Sequence, residues 1–147
     1  MIAFATTTAF RFVRRLATGQ GSAAMYLLIF NEDAQASVEA DLRAEFEVQM
    51  GRRMKIGRVS RTHDVQEALD SPASEQVRVL RIDRLSSRVV AMLDTHVVRL
   101  ERAGAQFVFL ATQELAERLL TRAPNLRNRL TEVLRIVPEN ASVGGAH

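Results

Sequence analysis

The sequence predicts an α/β fold, a three-layer sandwich around a five-stranded, mainly parallel sheet. Three observations predict it. Short apolar runs at 24–30, 77–82 and 106–111 alternate with longer amphipathic stretches, as strands buried on both faces alternate with crossover helices. The chain has 147 residues, 47% of them apolar and 25% charged, which suits one domain able to bury about two-thirds of its unfolded surface. It has no cysteine, which excludes a disulfide scaffold, a thiol nucleophile and thiolate-held zinc or iron–sulfur clusters. The longest apolar run, 23–30, is too short to cross a bilayer as a helix. A cytoplasmic protein without a membrane partner is expected.

Residues 1–21 contain Arg11, Arg14 and Arg15 and no acid. This resembles a transit peptide in composition, but Phe4, Phe10, Phe12, Val13 and Leu16 suit a structural, partly amphipathic helix ended by Gly19-Gln20-Gly21. Residues 24–30 (AMYLLIF) are the first strand. Residues 33–50 form a helix with Val38, Leu42 and Phe46 inward, closed by Gly51. A weaker strand at 54–59 and a short helix at 64–70 follow, the helix stopped by Ser71-Pro72. Residues 77–82 (VRVLRI) are the third strand, whose Arg78 and Arg81 predict one partly open side. Ser86 or Ser87 caps the next helix, striped by Val90, Leu93, Val97 and Leu100 and ended by Gly104. A fourth strand spans 106–111, a helix 114–122, a turn begins at Pro124, and a fifth strand spans 133–137, stopped by Pro138. The domain is therefore 1–138, with an N-terminal helix at 1–21, a sandwich core at 22–138 and a flexible tail at 139–147.

Open parallel sheets bind ligands beyond the carboxyl ends of their strands. Asn31, Glu32 and Asp33 follow the first strand, Asp83 and Arg84 the third, and Thr112 and Gln113 the fourth.

The segment Ile82-Asp83-Arg84-Leu85-Ser86, its following helix, and residues 107–138 (FVFLATQELAERLLTRAPNLRNRLTEVLRIVP) resemble the later half of an AAA-type P-loop ATPase core. The pattern is similar to the ATPases of transposition and general secretion. The first half resembles that core only in its order of elements. The resemblance implies that Asp83 is the Walker B aspartate, which holds magnesium through water. It puts Thr112 or Gln113 at the sensor of the γ-phosphate, and Arg127 and Arg129 in the segment that gives an arginine finger to a neighbouring subunit. Magnesium is implied only if Asp83 is functional, and a homo-oligomer is compatible with this pattern.

The chain departs from that family at the phosphate loop. A working loop needs glycines, a Lys on the β- and γ-phosphates and a Ser or Thr on magnesium. Here Asn31-Glu32-Asp33-Ala34-Gln35-Ala36-Ser37 has neither glycine nor lysine and carries two carboxylates. Each carboxylate about 4 Å from a phosphate charge costs on the order of 1 kcal/mol in water, more at lower dielectric. Arg84 stands where the catalytic Glu would follow the Walker B Asp. The expectation is a degenerate core with no catalytic residues, no resident cofactor or metal, and no enzyme activity.

Response-regulator receiver domains offer a second resemblance. Glu32 and Asp33 would hold magnesium, Asp83 would accept a phosphoryl group and Thr112 would report it, although Val137-Pro138 stands where receivers carry a Lys. Strand order separates the two: strand four between one and three marks the P-loop lineage, strand one between two and three a receiver. A third, weaker likeness, to anti-anti-sigma domains, maps their phosphorylation position near Ser86 or Ser87.

Simpler roles exist for the same residues. Asp83 suits a turn or helix cap, Thr112 caps the helix after it, and His63 and His96 lack partners at metal-ligand spacing. Arg127 and Arg129 suit a solvated face or a pairing with Glu132. The net charge is +3; beyond Arg11, Arg14 and Arg15 bases and acids balance. Residues 32–47 carry an excess of acids and residues 51–61 the bases Arg52, Arg53, Lys55, Arg58 and Arg61, read as neighbouring solvated faces. Without stacking aromatics the basic strip is weak support for nucleic acid. The reading is a non-catalytic P-loop-ATPase-like adaptor with a protein partner, linked to mobile DNA, with a receiver-like signalling domain as the alternative.

Overall fold

The apolar run Ala24–Phe30 forms a strand, β2, with Met25 to Phe30 buried. Such a strand needs apolar cover on both faces, and helices supply it. The computed structural model describes residues 4–19, 23–70, 77–102 and 106–139. In chain order these are β1 (Ala5–Thr8), α1 (Ala9–Thr18), β2, a 3₁₀ turn (Glu32–Ala34), α2 (Gln35–Met50), β3 (Ile56–Val59), α3 (Thr62–Asp70) and β4 (Val77–Ile82). Then follow α4 (Ser87–Thr95), α5 (Val97–Arg102), β5 (Gln106–Thr112), α6 (Gln113–Arg122), α7 (Pro124–Arg129) and β6 (Glu132–Val137).

The sheet order is β1-β6-β2-β5-β4-β3, and every pairing is parallel. Parallel strands need crossovers, so helices fall on both faces. On one face Phe12, Val13 and Leu16 of α1 and Val38, Leu42 and Phe46 of α2 pack on Tyr26, Leu28, Val79 and Leu110. On the other, Val65 of α3, Val89, Val90 and Leu93 of α4, Val97 of α5, Leu119 of α6 and Leu126 of α7 pack on Leu27, Ile29, Leu80 and Phe109. This is the predicted three-layer sandwich.

The described residues form six strands, one more than expected. The extra one is β1, inside the segment predicted as a helix over 1–21. Its run Ala5-Thr6-Thr7-Thr8 pairs with Leu134 to Val137 of β6. Three β-branched residues in succession favour extended backbone, and Thr8 then caps α1 by accepting from the Arg11 amide. The apolar residues of this segment do not share one face: Phe12, Val13 and Leu16 are buried, whereas Phe10 is 46% exposed.

A second difference is the break at His96, which divides the predicted helix after Ser86 into α4 and α5. The stops at Ser71-Pro72, Gln20-Gly21 and Gly104, and the tail from 140, lie outside the described residues. A third concerns β4, which has no open side: Arg78 and Arg81 are 8% and 7% exposed. Arg78 donates to the Ala68 carbonyl at 2.8 Å and lies over the Phe107 ring, and Arg81 is bound by carboxylates. Buried guanidinium groups persist where donors find acceptors. The Arg81 bonds go to carboxylates, whereas the buried Nε of Arg78 has no hydrogen-bond acceptor among the described residues.

Candidate functional site: the carboxyl edge of β2, β4 and β5

Register brings the predicted residues abreast. Phe30 pairs with Thr112, and Arg81 pairs with Leu110. Asn31, Asp83 and Gln113 therefore leave the sheet side by side, at the position where open α/β sheets bind ligands.

At the end of β2 the chain passes directly into the 3₁₀ turn, closed by a 2.9 Å bond from the Ala34 amide to the Asn31 carbonyl. Glu32 and Asp33 are exposed on it, and α2 starts without a side-chain cap. A phosphate loop is longer and opens its amides into a cradle; this turn is shut on itself.

At the end of β4 the side chain of Arg81 reaches between α2 and the next loop. Its Nη1 donates to both Glu39 carboxylate oxygens at 2.8 Å, and its Nε donates to Asp83 Oδ1 at 2.8 Å. The Arg81 and Glu39 side chains are 9% and 14% exposed, that of Asp83 32%. Arg58 of β3 approaches Asp83 Oδ2 at 3.7 Å. Burial alone would lower the Arg81 pKa; the hydrogen bonds it donates to Asp83 and Glu39 outweigh it and hold the guanidinium above its ordinary value. The carboxylate predicted to hold magnesium is thus engaged by two guanidinium groups.

At the end of β5, Thr112 caps α6 by accepting from the Leu115 amide, as its simpler role required. Gln113 accepts from Arg135 of β6 at 2.5 Å and donates to Glu117 at 3.1 Å. Arg135 also reaches Asn31 Oδ1 at 3.5 Å. Ser86 caps α4 by accepting from the Val89 amide.

Arg127 and Arg129 stand exposed on α7. The hydrogen bonds that dock α7 run from the Leu126 amide and Asn125 to Asp94 of α4, on the helical layer and not at the Asp83 cluster. His63 pairs with Glu67 on the surface at 3.3 Å. Among the described residues no group of three or more His, Asp or Glu side chains is placed to hold a metal ion. The magnesium nucleotide implied by the P-loop resemblance fits these residues poorly: the turn is closed and acidic, and Asp83 is already paired.

Sequence reasoning missed Glu39, Arg58 and Arg135. A signal existed for Glu39. Alternation along β4 puts Arg81 on the face of Val77 and Val79, beneath α2. Glu39 lies beside Val38 on the inward stripe of that helix.

These features define an α/β protein with an AAA-like P-loop order of strands. Counted from β2, strand four (β5) lies between strands one (β2) and three (β4); the receiver order, with strand one between two and three, is not what this sheet has. No family model and no curated protein matches the chain. Among solved structures it is similar to the crystal structure of DnaI. The TM-score is 0.53 at 15% identity, over 90% of this chain and 81% of that one. The crystal structure of Saccharomyces cerevisiae RIF2 aligns with TM-score 0.47 at 9% identity, over 87% of this chain and 54% of that one. The DnaI likeness is one of fold. No described helix is long and apolar enough to cross a membrane.

Proposed function

We propose that this protein is a non-catalytic, P-loop-ATPase-like adaptor, an interaction module that neither binds nor hydrolyses ATP. The observation that carries the reading is the Arg81 bridge between Glu39 and Asp83. A P-loop enzyme leaves its Walker B carboxylate for magnesium and brings a lysine to the phosphates. Here the cation is built into the protein, and Asp83 serves the fold.

Three further features support this. The segment 31–37, a short turn and the start of α2, lacks glycine and lysine. Arg84 replaces the residue that would polarise the attacking water. Gln113, at the sensor position, is spent on Arg135 and Glu117. A link to mobile DNA rests only on the family resemblance. A protein is the favoured partner, and Arg127 and Arg129 lie exposed on α7.

Steady-state phosphate release with Mg-ATP tests the reading. The wild type and Asp83→Asn should both stay at the buffer rate. Turnover by the wild type that Asp83→Asn abolishes would overturn it.

A further inference from the structure

Among the described residues neither outer strand of the sheet has a further neighbour, and of β1 Ala5 and Thr6 are exposed while Thr7 and Thr8 are buried. At the β6 side its last strand is β1, whose outer edge has no neighbour among the described strands. An open edge presents unpaired main-chain N–H and C=O groups, a template for another strand. Beside it runs a groove of about 480 Å³ between β1 and α1, lined by Ala5, Thr6 and Thr7 and by Arg11, Arg14 and Arg15. Arg11, Arg14 and Arg15 are three and four residues apart, so they share one ridge of α1. Arg15 is held by Glu132 in a bidentate pair. Arg11 and Arg14 are exposed and have no ion pair among the described residues. They lie in residues 1–21, which carry three bases and no acid.

Resting on the adaptor reading, we propose that the β1 edge and the Arg11–Arg14 ridge take an extended acidic segment of a partner protein, added to the sheet beyond β1. The occupant follows from the chemistry. Alternating amide and carbonyl groups match a peptide backbone, and two unpaired guanidinium groups match carboxylates on its side chains. A second copy of this chain would set Arg11 and Arg14 against the same residues, a like-charge contact that disfavours it. A nucleic acid would satisfy the arginines and leave the strand edge unused.

The test is fluorescence polarisation of the full chain with a short labelled peptide alternating glutamate and valine. Its lysine counterpart and a form with alternate backbone N-methyl groups serve as probes of charge and of strand pairing. The acidic peptide should bind saturably, and R11E/R14E should weaken it by about tenfold. R88E/R122E, the same charge change on other exposed arginines, should leave it within about twofold. The lysine and N-methyl peptides should not bind. Absence of saturable binding, equal weakening by R88E/R122E, or undiminished binding of the N-methyl peptide would overturn the proposal. So would oligothymidylate binding that exceeds the peptide's and is lost in R11E/R14E, which would make the ridge a nucleic-acid site. Circular dichroism of R11E/R14E should match wild type, since both side chains are exposed. None of these outcomes concerns ATP, so failure here is separate from failure of the adaptor reading.

Discussion

Arg81 lies in a strand whose other positions are, Arg78 apart, valine, leucine and isoleucine, and its burial is tolerable only through its two carboxylates. Removing one member of such a buried set strands a charge, which costs about 3–5 kcal/mol. Arg81→Met should therefore lower unfolding free energy by that order in urea titrations. Adding Glu39→Gln should recover part of the loss, because the stranded charge is then gone. The probe is convenient: Tyr26 is the sole tyrosine and there is no tryptophan. It is 5% exposed, with its ring edge-to-face on Phe12 at 5.2 Å. A second residue gives a pH test. Asp64 reaches back to accept from the Ser60 and Arg61 amides at 2.9 and 3.0 Å, and the Ser60 hydrogen bond leads in holding its pKa below the ordinary carboxylate value. A depressed carboxylate stabilises the fold above its unfolded pKa and loses that effect as pH falls through the folded one. Asp64→Ala should cost about 1 kcal/mol at neutral pH, and the difference from wild type should shrink as acid protonates Asp64. A gap that stays constant down to pH values below the carboxylate range would contradict this role.

At the scale of elements, the helices and strands with strong periodicity were legible in the sequence. The stripe Val38, Leu42 and Phe46 fixed α2, and Gly51, with φ of 72°, ends it as a left-handed cap. Gly51→Ala should cost about 1 kcal/mol in unfolding free energy, since a Cβ disfavours that conformation; an unchanged urea midpoint would show that the turn relaxes. The run AMYLLIF marked β2 because only a strand covered on both faces is apolar at every position. β1 was illegible for the opposite reason. Its four residues have no apolar alternation, and the helical spacing of Phe12, Val13 and Leu16 extended over it. Its pairing with β6 is a contact across the whole chain, which no local pattern reveals. The break at His96 was hidden likewise: the stripe runs through it, because α4 and α5 both face the same layer of core.

For the whole molecule, composition and order of elements specified the sandwich, and strand order then separated two families of similar content. The candidate site was half legible. The sequence named Asp83, Thr112 and Gln113, which lie at the carboxyl ends of β4 and β5. It did not reveal that Arg81 engages Asp83 two residues on, because that depends on Glu39 of α2 holding the same guanidinium. Nor did it reveal that Arg135 engages Gln113, 22 residues away in the chain. The central claim is that an internal guanidinium has replaced the bound cation and closed the nucleotide site. Thermal unfolding with and without excess Mg-ATP, followed by Tyr26 fluorescence, tests it most directly. Ligand at about 100 times its Kd would add roughly 2.7 kcal/mol to a binding-competent fold, a rise of several degrees in Tm for a domain of this size. The account predicts no shift at millimolar Mg-ATP. A saturable rise in Tm that is lost in Asp83→Asn would contradict it.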